Sequence, residues 1–341
     1  VTGVQTCALP IFGCQRLGGV AVLLDCENAS NAEFMEKVSR LNTSEILRYT
    51  PTSLEQTFRK IHNTTKEIRE AFGPDCPIVF LYDSISVSPC ERELKENDLP
   101  EDYTAADWKK IVGRKEQPGE RAKVCSAELR KLQAMLQDQN VTVVIINQTR
   151  EKIGVLYGNP ETTGGGGNAL PFYASLRLRT ATKKKIENKK TKSFAGVNMK
   201  IENKKNRSFR PFVETEGVQL YFEHGINPLT GLLSILINAD RVEGKAGNYT
   251  VKEAYLPDQT GVEEAFKGYK FKASLETNLI SLQVLLDCPK LVDATSKEEV
   301  MEYIRPYQGA LEMSASGDFD EKELAFDIDG NPLDAEAQES D

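Results

Sequence analysis

The sequence predicts an α/β fold, in which helices flank a mostly parallel central sheet and a small α+β domain follows. Three short apolar runs, VAVLL at 20–24, IVFLY at 78–82 and VTVVII at 141–146, are typical of buried strands. Helical periodicity fills the segments next to them, at 31–41, 53–72 and 122–137. Strands that alternate with helices form β-α units, which build parallel sheets.

Composition excludes several classes of protein. Seven cysteines at irregular spacing contain no C-x-x-C pair, which argues for a reducing compartment and against a disulfide framework or a zinc site. The two histidines, His62 and His224, are far apart in sequence, so a Ser-His-Asp triad is not expected. No apolar run approaches the roughly 18 residues that a membrane span needs, and we expect no membrane partner.

Charge is distributed unevenly along the chain. Residues 177–210 hold thirteen Lys and Arg but only two Glu, whereas residues 312–341 hold eleven Asp and Glu but only one Lys. A basic segment followed by an acidic tail suggests a polyanionic partner and a tail that competes with it. A solvated loop with a solubilising tail explains the charges equally well.

The chain divides into four predicted segments. Residues 1–12 resemble a translated sequencing adapter and are expected to be foreign, whereas GCQRLGG from Gly13 has the pattern of a helix end. A core domain is expected over 13–230, a small domain over 231–305, and an acidic, disordered tail over 306–341. Within the core, the near repeat IENKKTKSF and IENKKNRSF favours a basic β-hairpin.

Acidic residues follow two of the predicted strands. Asp25 and Glu27 follow the first, and Asp83 with Ser84 follows the second. Ligands of doubly wound sheets sit outside the carboxyl ends of the strands, and an apolar run that ends in Asp is the Walker B pattern, which helps to hold Mg²⁺, usually through water. A turn residue or a helix N-cap is the alternative for each acid.

The third strand continues into an unusual segment, IINQTREKIGVLYGNPETTGGGGNALPFYASLRLR at 145–179. It closely resembles the RecA family of recombinases, from the nucleotide-sensing strand through the second DNA-binding loop. CENASNAEF, VFLYDSISVSP, GERAKVCSAELRKL and KNRSFRPF match other family segments in register. The resemblance covers roughly residues 13–250 and implies a RecA-like P-loop NTPase core.

The resemblance implies an ATP site with Mg²⁺. Glu27 would activate water, and Asp83 would be the Walker B carboxylate, holding Mg²⁺ with Ser84 beside it. Gln148 would sense the γ-phosphate, and Phe34 would stack on adenine where the family usually has tyrosine. Lys205 and Arg207 match two basic residues that reach ATP across the subunit interface, with Arg where Lys is usual.

The resemblance also implies two DNA-binding segments, which would hold the backbone of single-stranded DNA without reading its sequence. In the helix after the first loop, Lys123 and Arg130 match basic contacts of the family. The second loop supplies a larger set of cationic, aromatic and glycine-rich positions: Arg150, Lys152, Tyr157, Gly164, Gly165, Gly166, Gly167 and Asn168. Residues 90–120 form an insertion longer than the usual first loop.

By resemblance, the chain is a DNA-dependent ATPase that forms helical filaments on single-stranded DNA and pairs it with double-stranded DNA, in the cytoplasm of a bacterium or a phage-infected host. The phosphate-binding motif G-x-x-x-x-G-K-[ST] does not occur in the sequence, so we expect a truncated reading frame and poor ATP binding by this chain. A non-hydrolysing DNA-binding paralogue and a hexameric helicase are the alternatives.

Overall fold

The computed structural model forms two compact units, Val1–Ala174 and Ser175–Asp341, which are described separately. The residues that it describes are 9–28, 30–39, 42–96, 119–137, 139–151, 161–163, 167–208, 211–257, 269–275, 277–323, 325–326 and 332–333. The predicted domain boundaries at 12, 230 and 305 stay a prediction. The division after Ala174 is one of internal packing and does not test them.

A four-stranded parallel sheet forms the centre of the first unit. Its strands are β1 (Val20–Asp25), β2 (Ile46–Tyr49), β3 (Ile78–Asp83) and β4 (Val141–Ile145), in the order β2-β1-β3-β4. The predicted α/β fold with a parallel sheet is confirmed. Strand β2 was not predicted, because its four residues are only partly buried and show no apolar run.

Helices cover both faces of this sheet. In the order of the chain they are α1 (Leu9–Arg16), α2 (Ala32–Ser39), α3 (Leu54–Phe72), α4 (Glu91–Glu96) and α5 (Glu120–Met135). Helix α3 starts where the Ser53 side chain accepts a hydrogen bond from the Gln56 amide at 3.1 Å, and it ends at Gly73. Its apolar stripe, which includes Phe58 and Ile61, is buried.

The pleat of β1 supplies two cores. Val22 and Leu24 pack with α3 and α5 side chains on one face, whereas Ala21 and Leu23 pack with Ile11 of α1 on the other. Helix α1 comes close to the sheet because Gly19 has no side chain. A Cβ there would lie 2.5 Å from the carbonyl oxygen of Pro77, which is closer than real Cβ contacts allow.

Part of the segment that we interpreted as a loop has regular structure. Strands β5 (Thr149–Glu151) and β6 (Glu161–Thr163) pair in antiparallel fashion, and the short helix α6 (Ala169–Tyr173) follows Asn168. The loop interpretation of 149–168 was therefore wrong for residues 149–151 and 161–163. Glycine richness indicated an irregular chain there but gave no information on pairing between residues distant in the sequence.

The second unit is built on an antiparallel sheet whose first four strands follow one another along the chain. Strands β7 (Leu176–Asn188) and β8 (Phe194–Asn206) form a long hairpin, so the predicted basic hairpin is confirmed. The two IENKK copies do not face each other: Ile186 lies opposite Gly196, and Ile201 lies opposite Thr180. Strands β9 (Glu214–Tyr221) and β10 (Gly225–Ile226) complete the meander.

A smaller α+β core follows, as predicted for the part after Leu232. Helices α7 (Leu232–Asn238), α8 (Leu282–Asp287) and α9 (Lys297–Ile304) pack around the sheet of β11 (Val242–Lys245), β12 (Asn248–Val251) and β13 (Tyr269–Lys272). Leu233, Ile280 and Val300 are fully buried in this core. Among the described residues, no helix is long and apolar enough to span a membrane.

Disorder from residue 306 onward was the wrong expectation for the first part of the acidic segment. Helix α10 (Gln308–Ala315) leads into strand β14 (Phe319–Glu323), which pairs with residues 184–188 of β7. Phe319 packs against Tyr221 with ring centroids 6.0 Å apart, so apolar burial anchors a strand that composition alone marked as solvated. Two short strands, β15 (Ala325–Phe326) and β16 (Pro332–Leu333), pair beyond it.

Candidate functional site

Three acidic side chains converge at the carboxyl edge of the parallel sheet. Asp25 and Asp83 are the last residues of neighbouring strands and are register partners, and Glu27 follows two residues after Asp25. The Ser84 hydroxyl donates to Oε1 of Glu27 at 2.7 Å. The Asp83–Ser84 peptide bond is cis. The structure thus brings the predicted Glu27, Asp83 and Ser84 together at one edge.

Like charges dominate the electrostatics of this edge. Burial and the nearby carboxylates of Glu27 and Asp25 raise the pKa of Asp83 to about 6. For Asp25, burial alone would also raise the pKa, but hydrogen bonds from Ser30 and Arg48 outweigh it and lower the pKa. The carboxylate of Asp83 is therefore the one that a cation would favour most, because it carries the repulsion that a cation would relieve.

A hydrogen-bond chain joins the ends of β3 and β4. The Ser86 hydroxyl donates to Oδ1 of Asn147 at 2.8 Å and accepts from the Gln148 amide at 2.9 Å. The Ile85 amide donates to the Ile146 carbonyl at 3.1 Å. The backbone of Gln148 is thus held at the carboxyl ends of β3 and β4, its side chain is exposed, and the next residue, Thr149, begins β5.

The two predicted DNA-binding segments meet within the first unit. Gly167 adopts a left-handed φ of 55°, and a Cβ there would lie 3.1 Å from Cβ of Ala122 in α5. Helices α5 and α6 share the core that contains Cys125 and Leu129. Lys123 and Arg130 are exposed on α5. The start of α5 and the end of the glycine-rich segment therefore form one continuous region.

Some predicted site residues lie outside the described residues. These are Lys152, Tyr157, Gly164, Gly165 and Gly166; for Phe34 in α2 and Arg150 in β5, only the backbone is described. The predicted roles of all these residues stay predictions.

Lys205 and Arg207 lie in the second unit, at the open end of the β7–β8 hairpin. Lys205 is paired with Arg177 across the two strands, and the Arg207 amide donates to the Ser175 carbonyl at 3.0 Å. Desolvation and the positive charges of Arg207 and Arg177 lower the pKa of Lys205. These cations therefore form a cluster that favours an anionic partner.

Sequence reasoning missed the side chains that support this edge. Arg121 of α5 donates to the Ile85 and Ser86 carbonyls at 2.5 and 2.8 Å, and Arg48 of β2 forms an ion pair with Asp25 at 2.7 Å. Their partners are distant in sequence, and an arginine in an amphipathic helix or a short strand has no distinctive local pattern. Only the strand order brings Arg48 next to β1.

The fold and this edge define an α/β protein with a cluster of acids at the carboxyl ends of parallel strands, which is where ligands of such sheets bind. The family model described as RecA N-terminal domain matches residues 109–227. Protein RecA of Thermus aquaticus is 31% identical over 302 residues, which cover 87% of this chain and 79% of that protein. The chain belongs to the RecA family, a family of recombination and repair proteins.

Further relatives give the same result over a shorter stretch. Protein RecA of Thermus thermophilus is 32% identical over 252 residues, which cover 72% of this chain and 65% of the relative. Protein RecA of Legionella pneumophila is 30% identical over 253 residues, which cover 74% of this chain and 65% of the relative. The chain thus spans slightly less than two thirds of these two relatives.

Proposed function

We propose that the chain acts in ATP-dependent homologous recombination and DNA repair, by forming a helical filament on single-stranded DNA and promoting pairing and strand exchange with duplex DNA. The observation that carries this proposal is the path of contacts from the acidic edge to the glycine-rich segment. Ser86 holds the backbone amide of Gln148 at the carboxyl end of the sheet, and the chain passes directly from Gln148 into β5. A nucleotide at the edge would thereby affect the segment that binds DNA.

The edge fits a hydrated magnesium ion with ATP, because Mg²⁺ keeps several waters and is usually bound through one or two carboxylates and the substrate phosphates. Asp83 would hold this ion through water, and the ion would neutralise phosphate charge. Glu27 is exposed and oriented by Ser84, as a general base for water requires. The described residues contain no group of three or more His, Cys, Asp or Glu that could hold a metal ion by themselves.

DNA binding and assembly involve the basic residues. Exposed Lys123 and Arg130 lie on α5, next to the segment that ends at Gly167 and Asn168. They would contact phosphates, and the glycine backbone would approach them closely. Lys205 and Arg207 would reach the nucleotide of a neighbouring copy, so that hydrolysis depends on the filament.

A non-hydrolysing DNA-binding paralogue is the second candidate. The sequence contains no G-x-x-x-x-G-K-[ST], the motif whose backbone amides and lysine provide most phosphate affinity. We therefore expect this chain to bind single-stranded DNA while hydrolysing ATP weakly. Glu27, Asp83 and Gln148 support the recombinase, because a protein without ATP chemistry has no chemical need for all three.

The test combines three measurements on the purified chain: polarisation of a fluorescent oligothymidine, phosphate release from ATP with and without that DNA, and electron microscopy of the complex. Helical filaments support the proposal, whether or not phosphate release is strong. Closed rings would indicate a helicase instead. DNA binding with neither filaments nor phosphate release would favour the paralogue, and the lack of DNA binding would contradict both.

A further inference from the structure

Asp25 is a buried charge that depends on its partners. Its side chain is fully buried, and Oδ2 accepts from Nη2 of Arg48 at 2.7 Å, from the Ser30 amide at 3.2 Å and from the Ser30 hydroxyl. Burying a carboxylate is costly unless it is paired and hydrogen-bonded. The ionised state of Asp25 therefore depends on Arg48 from one side and on Ser30 from the other.

Arg48 reaches across the turn that carries Glu27. It is the register partner of Leu23 on β1, and its side chain is 43% exposed, so it extends along the edge of the sheet. The same Nη2 that contacts Asp25 also donates to Oδ1 of Asn28 at 3.4 Å. Asn28 has a left-handed φ of 51°, a conformation that few non-glycine residues adopt. The guanidinium thus bridges the residues on both sides of the Cys26–Glu27 pair.

Glu27 has little packing of its own. Its side chain is exposed, and Ser84 donates to its carboxylate at 2.7 Å. The place of that carboxylate is therefore determined by Ser84 and by the backbone of its turn. The backbone, in turn, is closed by the contact from Ser30 to Asp25 and braced by Arg48.

We propose that Arg48 is a positioning residue for Glu27: by bridging Asp25 and Asn28 it fixes the turn on which Glu27 stands. The importance of this role rests on the proposed function, in which Glu27 activates water. The bridge itself requires neither nucleotide nor DNA. Two variants separate charge from geometry: Arg48→Met removes the charge but keeps much of the aliphatic stem, and Arg48→Lys keeps the charge but loses the planar fork.

Hydrogen exchange at the Ser30 amide tests the bridge, with Arg59→Met as the matched control. Arg59 is an exposed arginine of α3 that forms an ion pair with Glu91, away from the turn. Arg48→Met should reduce protection of the Ser30 amide about tenfold, since a hydrogen bond to a charged group contributes roughly 1.5 kcal/mol or more. Arg48→Lys should restore most of it, and Arg59→Met should change nothing there. Protection within α3 should stay equal in all variants.

Comparison of the Ser30 amide with the amides of α3 distinguishes positioning from general loosening. An unchanged Ser30 amide in Arg48→Met, or an equal loss in α3, would overturn the proposal. Failure of the proposed function appears instead as absent DNA binding, which leaves these exchange results unaffected.

Discussion

Acidic side chains are arranged in opposite ways on the two sheets. At the edge of the parallel sheet, Asp25, Glu27 and Asp83 gather, and the pKa of Asp83 rises to about 6. On the antiparallel sheet, Nζ of Lys200 lies 3.4, 2.7 and 3.2 Å from Glu202, Glu214 and Glu216, respectively. Hydrogen bonds from Lys204, Lys200 and Arg179 lower the pKa of Glu202 to about 2 despite some burial.

This difference is expected between a sheet edge that binds a ligand, as we propose for the acids of the parallel sheet, and a sheet whose charges stabilise the fold. Opposite charges that pair across strands contribute to folding. Like charges held together cost stability unless a ligand compensates, so perturbed acids tend to cluster at functional sites.

Replacing Asp83 by Asn should have the largest effect on the free energy of unfolding, because it removes one of the three carboxylates that repel one another at the sheet edge. The pKa of Asp83 is raised, so its protonated form is favoured by folding, and stability falls as the pH rises from 3.8 to about 6. Asp83→Asn should therefore raise the free energy of unfolding at pH 7.5 by on the order of 1–2 kcal/mol, and less at pH 4. Urea denaturation measures this. The exposed Asp75→Asn is the control, and a less stable Asp83→Asn at pH 7.5 would contradict the contrast.

Glu202→Gln should lower the free energy of unfolding, whereas Asp83→Asn should raise it. The change at Glu202 removes the acceptor shared by Lys204, Lys200 and Arg179, and the free energy of unfolding at pH 7 should fall by about 1 kcal/mol. The pKa of Glu202 is lowered, so its contribution is present above 4.5 and is lost as the pH falls towards about 2. The difference between parent and variant should shrink accordingly in acid. Glu223→Gln, in a turn, should be neutral; equal losses in both variants would argue against a network.

Removing the ion pairs between the acids at 318–321 and the lysines of the hairpin should make those lysines available to DNA. Asp318, Asp320 and Glu321 lie 2.9, 3.2 and 3.7 Å from Lys190, Lys189 and Lys184, respectively. Changing these three acids together to amides should tighten single-stranded DNA binding about threefold at low salt, with the gain screened at high salt. The control removes equal charge from the acidic stretch at Asp327, Asp329 and Asp334. An equal gain in both would mean that net charge, and not the contact, is responsible.

Two lysines provide the finest comparison. Lys123→Ala, at an exposed position of α5, should weaken single-stranded DNA binding about twofold and reduce the salt slope by roughly 0.7, with stability changed by less than about 0.5 kcal/mol. Lys200→Ala should do the reverse, lowering stability and leaving DNA affinity intact. Polarisation titrations at several salt concentrations and thermal melts measure both. If Lys200→Ala weakened DNA binding as much as Lys123→Ala, a lysine in ion pairs with glutamates would contribute to DNA affinity as much as an exposed lysine, which would contradict the prediction.

Apolar runs allowed three strands of the first unit to be predicted from the sequence. Strands β1, β3 and β4 are continuous apolar segments, and a run that ends in Asp places its acid at the edge of a parallel sheet. Strand β2 escaped prediction because ILRY is only four residues long, is largely exposed and shows neither an apolar run nor an alternating pattern. The acids could be named, but the bridge from Arg48 to Asp25 could not, since it depends on β2 lying beside β1.

The second unit was harder to predict because its strands are charged. LRLRTATKKKIEN lacks an apolar run, and Lys, Glu and Asn are poor strand formers. Its partners make it a strand: β8 on one side and, near the turn, β14 on the other. Strand β14 comes from a segment whose composition indicates disorder, and it gains structure from its backbone pairing with β7, its contacts with lysines and the packing of Phe319.

The position of β14 in the chain has a consequence for synthesis. It pairs with residues 184–188, which the ribosome makes more than a hundred residues earlier. At about 5–20 residues per second, roughly ten seconds pass before the pairing strand exists. Throughout that interval the nascent hairpin presents open backbone donors and acceptors along its outer edge, and such edges pair readily with other chains. Crowded polysomes are therefore where this protein is most exposed to misassembly, and slower loading of ribosomes should increase its soluble yield.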